Sequence, residues 1–271
     1  AASDSSSMAE LSKDGAKLDA ALSDHFNGIT TPGCRFSFSR RHGIKNTNSA
    51  VVRSKRLIVA FSSLGNGLVR HEFGGSLAKI NSQLHSDGLD TFDVLFVADP
   101  SQSWYQKGSR GSFDGFEEYE RRIRSASRPY SQICLVGDSM GGSGALLFSH
   151  LAIDSVVAFS PQINLGGDIH VSRYDMTTGI RDQYYKRLLW SVEEAVASGV
   201  NIFVHRGVED ADVRHTDQLV NHFSEKVSEG LGPMTGHLQI IEHPDCKHHQ
   251  VASYLKKKGC LAQVIYSNLI E

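Results

Sequence analysis

The 271-residue sequence predicts an α/β fold, a mostly parallel sheet with helices on both faces, built as a single domain over residues 1–271. Three observations predict it. Continuous apolar runs of strand length, such as Leu57-Ile58-Val59-Ala60-Phe61 and Val156-Val157-Ala158-Phe159, are what strands covered on both faces require. These runs alternate with helix-period segments about every 25–45 residues, the rhythm of repeated βαβ units. Between them lies Gln132-Ile133-Cys134-Leu135-Val136-Gly137-Asp138-Ser139-Met140-Gly141-Gly142, a strand that breaks at a Gly-x-Ser-x-Gly turn and restarts as a helix.

In chain order, Ala1–Ser7 reads as a lead-in without structure, and Leu11, Leu18, Leu22 and Phe26 recur at helical spacing within an N-terminal extension over 1–30. A Thr-Pro-Gly turn ends it at Gly33, and Arg35–Ser39 alternates as a half-buried strand does. Residues 41–54 form a polar, basic loop. Leu57–Ser62 is an interior strand leading into the loop Ser62-Ser63-Leu64-Gly65-Asn66-Gly67, followed by a helix from Glu72 to His85. Phe92–Ala98 is the next strand, ending in Asp99-Pro100-Ser101-Gln102-Ser103-Trp104-Tyr105; a helix from Phe113 to Ser125 leads to the Ser139 strand. Val156–Ser160 is a strand stopped at Pro161. Residues 163–185 are polar, with several Gly and Tyr, and show no clear period. A helix from Tyr185 to Ser198, a strand Asn201–His205, a helix from Thr216 to Ser228, a strand Leu238–Glu242 and a helical stretch interrupted at Gly259 complete the chain. No repeat or second core is visible.

Composition narrows the function. Hydrophobic content of 40%, charged content of 21% and a net charge of −2 describe an ordinary globular chain and point to neither nucleic acid nor an anionic membrane as partner. No apolar run has the length of a membrane span. Cys34, Cys134, Cys246 and Cys260 are scattered, and Cys134 falls mid-strand, where a buried free thiol is expected. With no basic and apolar leader at Ala1–Ser7, the expectation is a cytoplasmic location. Oligomeric state is not readable.

The chemistry is read from the strand ends, because open α/β sheets bind ligands at their carboxyl edge. A strand that reverses sharply into a helix forces the central serine into a strained backbone and leaves no room for side chains at the flanking glycines. Ser139 Oγ then stands above the sheet with the Met140 N–H aimed where an oxyanion forms. After the Asn201–His205 strand comes Arg206-Gly207-Val208-Glu209-Asp210-Ala211-Asp212, and after the last strand His243-Pro244-Asp245-Cys246-Lys247-His248-His249. Nucleophile, acid and base thus occur in the order Ser, Asp, His. A serine hydroxyl needs a base within hydrogen-bond reach; a histidine titrates near neutrality; a carboxylate on its other nitrogen fixes the tautomer.

Gly137-Asp138-Ser139-Met140-Gly141-Gly142, His205-Arg206-Gly207-Val208-Glu209-Asp210 and Cys246-Lys247-His248 together resemble the α/β-hydrolase superfamily over roughly residues 55–270. The resemblance implies a small cap or none, with residues 163–185 where that superfamily inserts one. The resemblance implies a serine esterase with Ser139 as nucleophile, Asp210 as acid and His248 as base. Asp212 is the rival acid, with Asp210 preferred for its spacing from Gly207; His249 is the rival base, set second because it is read as opening the following helix. Family pattern places the second oxyanion donor on the Ser63 or Leu64 N–H, beside Met140. Trp104 and Tyr105, just past a strand end, are candidates for lining the substrate pocket, or else for capping the core. The Asp99–Tyr105, Asp138–Gly142 and Ala158–Gln162 segments are also similar to a branch associated with bacterial surface glycans, which includes sugar O-acyl esterases and acyltransferases. The expected function is cleavage of a carboxylic ester or thioester, on a small molecule or glycan ester, through an acyl-enzyme and without a metal or other cofactor. Acyl transfer to a sugar or other alcohol is the alternative, and a non-catalytic binding module on the same fold is the second.

Overall fold

The apolar runs become strands because each buries both faces. In the computed structural model, which describes residues 38–41, 55–64, 73–99, 101–108, 111–166, 176–228 and 235–270, seven strands form one sheet. They are β1 (Phe38–Arg41), β2 (Arg56–Phe61), β3 (Asp93–Val97), β4 (Gln132–Asp138), β5 (Ser155–Phe159), β6 (Asn201–Arg206) and β7 (Leu238–Glu242), in the order β1-β3-β2-β4-β5-β6-β7. All neighbours pair parallel except β1, which runs antiparallel to β3. The expected N-terminal extension and helix, the 31–33 turn, residues 35–37, most of the 41–54 loop, Gly65–Gly67 and residues 167–175 lie outside the described residues.

Among the described residues, seven α-helices pack on the sheet: α1 (Gly74–Ser86), α2 (Gly115–Ser127), α3 (Met140–Leu147), α4 (Thr178–Ala197), α5 (Asp210–Ser228), α6 (Val251–Lys257) and α7 (Leu261–Leu269). Alternation along each strand sends side chains to opposite faces. Leu57, Val59, Phe61, Leu135, Val156 and Val204 pack with Phe116, Tyr119, Leu146, Leu188 and Leu219 from α2, α3, α4 and α5. Ile58, Ala60, Val94, Phe96, Val136 and Val157 pack with Leu77, Val251 and Ile265 from α1, α6 and α7. Helices therefore cover both faces, as the uninterrupted hydrophobicity of the strands demands. Among the described residues, no helix is long and apolar enough to cross a membrane. Cys134 is a buried free thiol whose pKa burial pushes up to about 12, which keeps it protonated and inert.

Three boundaries differ from expectation. The helix expected from Tyr185 begins at Thr178, capped by the Thr177 hydroxyl, which accepts from the Ile180 N–H at 3.4 Å. That absorbs the end of the aperiodic 163–185 stretch from residue 178 on, and Tyr184 is buried with its hydroxyl donating to the Gln162 carbonyl at 2.6 Å. The helix expected from Thr216 begins at Asp210, because a first turn rich in aspartate is stabilised by the helix dipole without needing apolar periodicity. The helix read as opening at His249 begins at Val251 as α6, so His249 precedes it in a loop. Gly259, at φ 76°, separates α6 from α7 as expected.

The strand order reverses direction between β2 and β4: the chain leaves β2 for β3 on one side, then returns to β4 and continues the other way through β5, β6 and β7. The crevice at the carboxyl ends of strands flanking such a reversal is where this architecture binds ligands. β4 ends there.

Candidate active site

β4 stops at Asp138 and α3 starts at Met140, leaving Ser139 alone to make the reversal. Its φ of 53° and ψ of −120° are a sparsely populated backbone state for a residue with a side chain. The glycines around it are sterically obligatory. A Cβ on Gly137 would lie 1.9 Å from the Gly141 carbonyl oxygen, one on Gly141 would lie 2.5 Å from the Phe61 carbonyl oxygen, and one on Gly142 would lie 2.6 Å from that of Phe159. The turn is held on both flanks. The Ser139 N–H donates to the Phe159 carbonyl at 2.8 Å, and the Ser63 hydroxyl donates to the Asp138 carbonyl at 2.9 Å.

Two further loops reach this turn. Gly207 follows β6, and a Cβ there would lie 2.6 Å from the Cys246 carbonyl oxygen, so only glycine lets the loop after β6 press against the loop after β7. The Val208 N–H donates to that same carbonyl at 2.9 Å, and the His243 N–H donates to the Arg206 carbonyl at 2.8 Å. This contact delivers one side chain from each loop. His249 Nε2 lies 2.8 Å from Ser139 Oγ, and His249 Nδ1 lies 2.5 Å from Asp212 Oδ1. Hydroxyl, imidazole and carboxylate form one continuous hydrogen-bonded chain.

The residues so placed are the neighbours of the expected ones. Asp210 and Asp212 are two residues apart on α5, about 200° around a helix of 3.6 residues per turn, so only one can face the site. Asp210 is exposed and Asp212 is buried. His248 is likewise exposed, while the loop ahead of α6 turns His249 inward. The structure therefore replaces Asp210 by Asp212 and His248 by His249 as the residues brought to Ser139.

The electrostatics suit a base. Burial opposes the charged form of His249, but the Asp212 hydrogen bond and charge, with Asp138 and Glu209 adding to them, raise its pKa above the ordinary histidine value. Burial pushes the Asp212 carboxyl up, and the imidazole hydrogen bond and charge outweigh it, holding the group below the usual aspartate range. The Ser160 hydroxyl and Gly207 N–H also stabilise this carboxylate from nearby, although neither meets Oδ2 in full hydrogen-bond geometry. Among the described residues, no group of three or more His, Cys, Asp or Glu side chains could hold a metal ion.

No protein-family model matches the sequence, and no curated protein matches it. Solved structures do match. A ferulic acid esterase superposes with a TM-score of 0.55 at 12% identity, covering 84% of this chain and 91% of its own. The fluorophosphonate-binding serine hydrolase F of Staphylococcus aureus gives 0.52 at 14% identity, covering 90% and 97%. The siderophore hydrolase EstA of Aspergillus nidulans gives 0.52 at 14%, covering 84% and 90%. The fold is that of the α/β-hydrolases.

Within this α/β-hydrolase fold, Trp104 and Tyr105 sit elsewhere than a pocket wall. Both are 0% exposed. The Trp104 indole N–H donates to Gln162 Oε1 at 2.8 Å, and the Tyr105 hydroxyl donates to the Ser62 carbonyl at 2.9 Å. Of core and substrate contact, the structure favours core, because the Tyr105 ring packs against Phe61, Tyr119 and Phe148 and Trp104 belongs to the same buried cluster. Met140 opens α3, and the first N–H groups of a helix have no intrahelical acceptor. Ser63 and Leu64 follow β2 beside the elbow, tied to it by the Ser63 hydroxyl. Sequence reasoning missed Gly207 as the spacer between the loops after β6 and β7; its signal is a glycine directly after an interior strand and before an acidic turn.

Proposed function

We propose that the chain is a serine hydrolase that cleaves a carboxylic ester or thioester through an acyl-enzyme on Ser139. The observation that carries this is the unbroken line from Ser139 Oγ through His249 to the buried Asp212 carboxylate. A strained serine at a strand–helix turn is by itself only a tight turn. One whose hydroxyl meets an imidazole already oriented by a carboxylate has the constellation of nucleophilic catalysis.

In this reading His249 Nε2 takes the Ser139 proton as Oγ attacks the acyl carbon, and Asp212 stabilises the imidazolium through the Nδ1–H. The oxyanion is met by the Met140 N–H together with the Ser63 or Leu64 N–H. The imidazolium then protonates the departing alcohol or thiol. Water, deprotonated by His249, attacks the acyl-enzyme, and collapse of the second tetrahedral intermediate returns the proton to Ser139 and frees the acid. Every proton passes through His249, and the scheme calls on no cofactor.

Hydrolysis of p-nitrophenyl acetate tests the proposal. Wild-type protein should release nitrophenolate with a pre-steady-state burst, and Ser139→Ala should lose the burst and fall to the uncatalysed background. Equal turnover by both proteins refutes it.

A further inference from the structure

The loop between β3 and α2 holds three of the five non-glycine residues with positive φ among the described residues: Gln102 at 49°, Trp104 at 54° and Tyr105 at 62°. The other two, Ser139 and Ser160, end β4 and β5 on the same rim of the sheet. Conformations of this kind persist only where surrounding bonds over-determine them. Here the bonds converge on one buried carboxylate. Asp99 Oδ1 accepts the Ser101 N–H at 3.0 Å, and Oδ2 accepts the Ser103 N–H at 2.6 Å, the Tyr105 N–H at 2.8 Å and the Ser103 hydroxyl at 3.1 Å.

What the loop delivers is two hydrogen bonds, one to each flank of the nucleophile strand. Tyr105 reaches Ser62, the first residue past β2, and Trp104 reaches Gln162, three residues past the end of β5. β2 and β5 are the two strands paired with β4. The Tyr105 ring also fills the space under α3, where a Cβ on Gly144 would lie 2.6 Å from its Cε2. On the β5 side, the Ser143 hydroxyl accepts the Gln162 N–H at 2.8 Å and lies 3.2 Å from the Ser139 carbonyl.

We infer that the Asp99–Tyr105 loop is a positioning clamp for the site. Asp99 holds the backbone in its left-handed turns, Tyr105 sets the direction of the Ser62–Ser63 peptide, and Trp104 sets the Gln162 amide. A trans peptide carries its C=O and N–H on opposite sides, so a phenol gripping the Ser62 carbonyl from the core turns the Ser63 N–H away from the core. Neither aromatic ring touches substrate. Both act through the groups they hold, and the inference rests on the reading of Ser139 as an ester-cleaving nucleophile.

Tyr105→Phe removes one buried oxygen and keeps the ring. Its control is Tyr130→Phe, which removes an equally buried hydroxyl, donated to Asp93 Oδ2 at 2.6 Å at the opposite end of β3. With p-nitrophenyl acetate, Tyr105→Phe should lower kcat about tenfold or more through misplacement of an oxyanion donor, with KM within about twofold of wild type. Tyr130→Phe should lose a similar amount of thermal stability and keep its kcat. Wild-type kcat in Tyr105→Phe, with the same loss of stability as the control, overturns the clamp. Trp104→Phe, which removes the bond on the other flank, gives the same decision should Tyr105→Phe not fold: a lowered kcat at unchanged KM supports the clamp, and an unchanged kcat overturns it. Failure of the underlying reading shows earlier and differently, as wild-type protein that neither turns over the ester nor reacts at Ser139 with a fluorophosphonate, and it takes the clamp with it.

Discussion

Exchanging Asp212 for asparagine separates the two acidic candidates and puts a magnitude on the His249 pairing. The Asp212 side chain is 0% exposed and lies 2.5 Å from His249 Nδ1. A carboxylate there accepts the Nδ1–H, leaving Nε2 as a lone pair facing Ser139 Oγ. An amide of the same shape presents its NH2 instead, which favours the tautomer with the proton on Nε2, unable to accept from serine. In the Ser-His-Asp arrangement that wrong tautomer costs about 10⁴ in kcat, which corresponds to about 5 kcal/mol of barrier. Asp212→Asn should therefore lower kcat for p-nitrophenyl acetate about 10³- to 10⁴-fold. Its pH profile should move as well. His249 is raised by the Asp212 hydrogen bond and charge against the opposing effect of burial, so removing the charge shifts the acid limb of kcat/KM to lower pH. Asp210→Asn, at an exposed position on the other side of α5, should keep activity within about twofold, as surface charges generally do. The assay is steady-state kinetics of both variants across pH, with circular dichroism to show that both are folded. Loss of activity in Asp210→Asn, or retention of more than a tenth of it in Asp212→Asn, refutes the reasoning.

Other outcomes follow from the same geometry. His249→Gln should abolish the nitrophenolate burst whereas the exposed His248→Gln should leave it intact; stopped-flow absorbance distinguishes them. In wild type, kcat/KM should rise with pH through a pKa above the ordinary histidine value of 6.5, because the proton on His249 is held by Asp212 and must leave before it can act as base; a limb below 6.5 contradicts this. Gly207→Ala places a methyl group 2.6 Å from the Cys246 carbonyl oxygen and drives the acid and base loops apart, so kcat should fall about tenfold or more, as it does when catalytic groups are displaced by a fraction of an ångström to an ångström. An Ala variant with wild-type kinetics would show that the two loops are not set by this contact. His205 is buried against Phe159 and bonded to His243 Nε2 at 3.0 Å, and burial first, then the His243 charge, lowers its pKa from 6.5 to about 3. The unfolded chain binds the proton first, so this group's contribution to stability is complete above pH 6.5 and is lost as pH falls, by about 1.4 kcal/mol per pH unit below 6.5 until the folded value is reached. Urea midpoints measured from pH 7 to pH 4 should drop less steeply in His205→Phe; equal slopes would remove His205 as the cause.

Most of the sheet is legible in the sequence because β2, β4 and β5 carry buried side chains at successive positions, and only a strand covered on both faces needs that. Ser139 is legible for a local reason: Gly137, Gly141 and Gly142 each exclude a Cβ that would strike backbone, and that requirement is written within six residues of sequence. The carboxylate and imidazole proposed as acid and base are legible to within two residues and one residue. Their exact identities depend on where α5 and α6 begin. The first turns of α5, Asp210-Ala211-Asp212-Val213-Arg214-His215, have polar residues at four of six positions and show no apolar helical period, so their helical state comes from the dipole and from packing of later residues such as Leu219. Once that stretch is helical, Asp210 and Asp212 face opposite ways and the choice is made. His249 reads in the sequence as a helix residue, and the start of α6 at Val251 leaves it instead in the loop that turns it toward Ser139. Trp104 and Tyr105 are ambiguous in the sequence because their fate is set by partners 58 and 43 residues away, Gln162 and Ser62, and no local pattern encodes a bond of that range.

The most direct measurement of the central claim is site mapping of a fluorophosphonate adduct. The hydroxyl that loses its proton to His249 should be the one hydroxyl that reacts, so peptide mass spectrometry should place the adduct on Ser139, with labelling slowed in His249→Gln and Asp212→Asn and unchanged in His248→Gln and Asp210→Asn. An adduct on another residue, or labelling of Ser139 at the same rate in all four variants, would contradict the account.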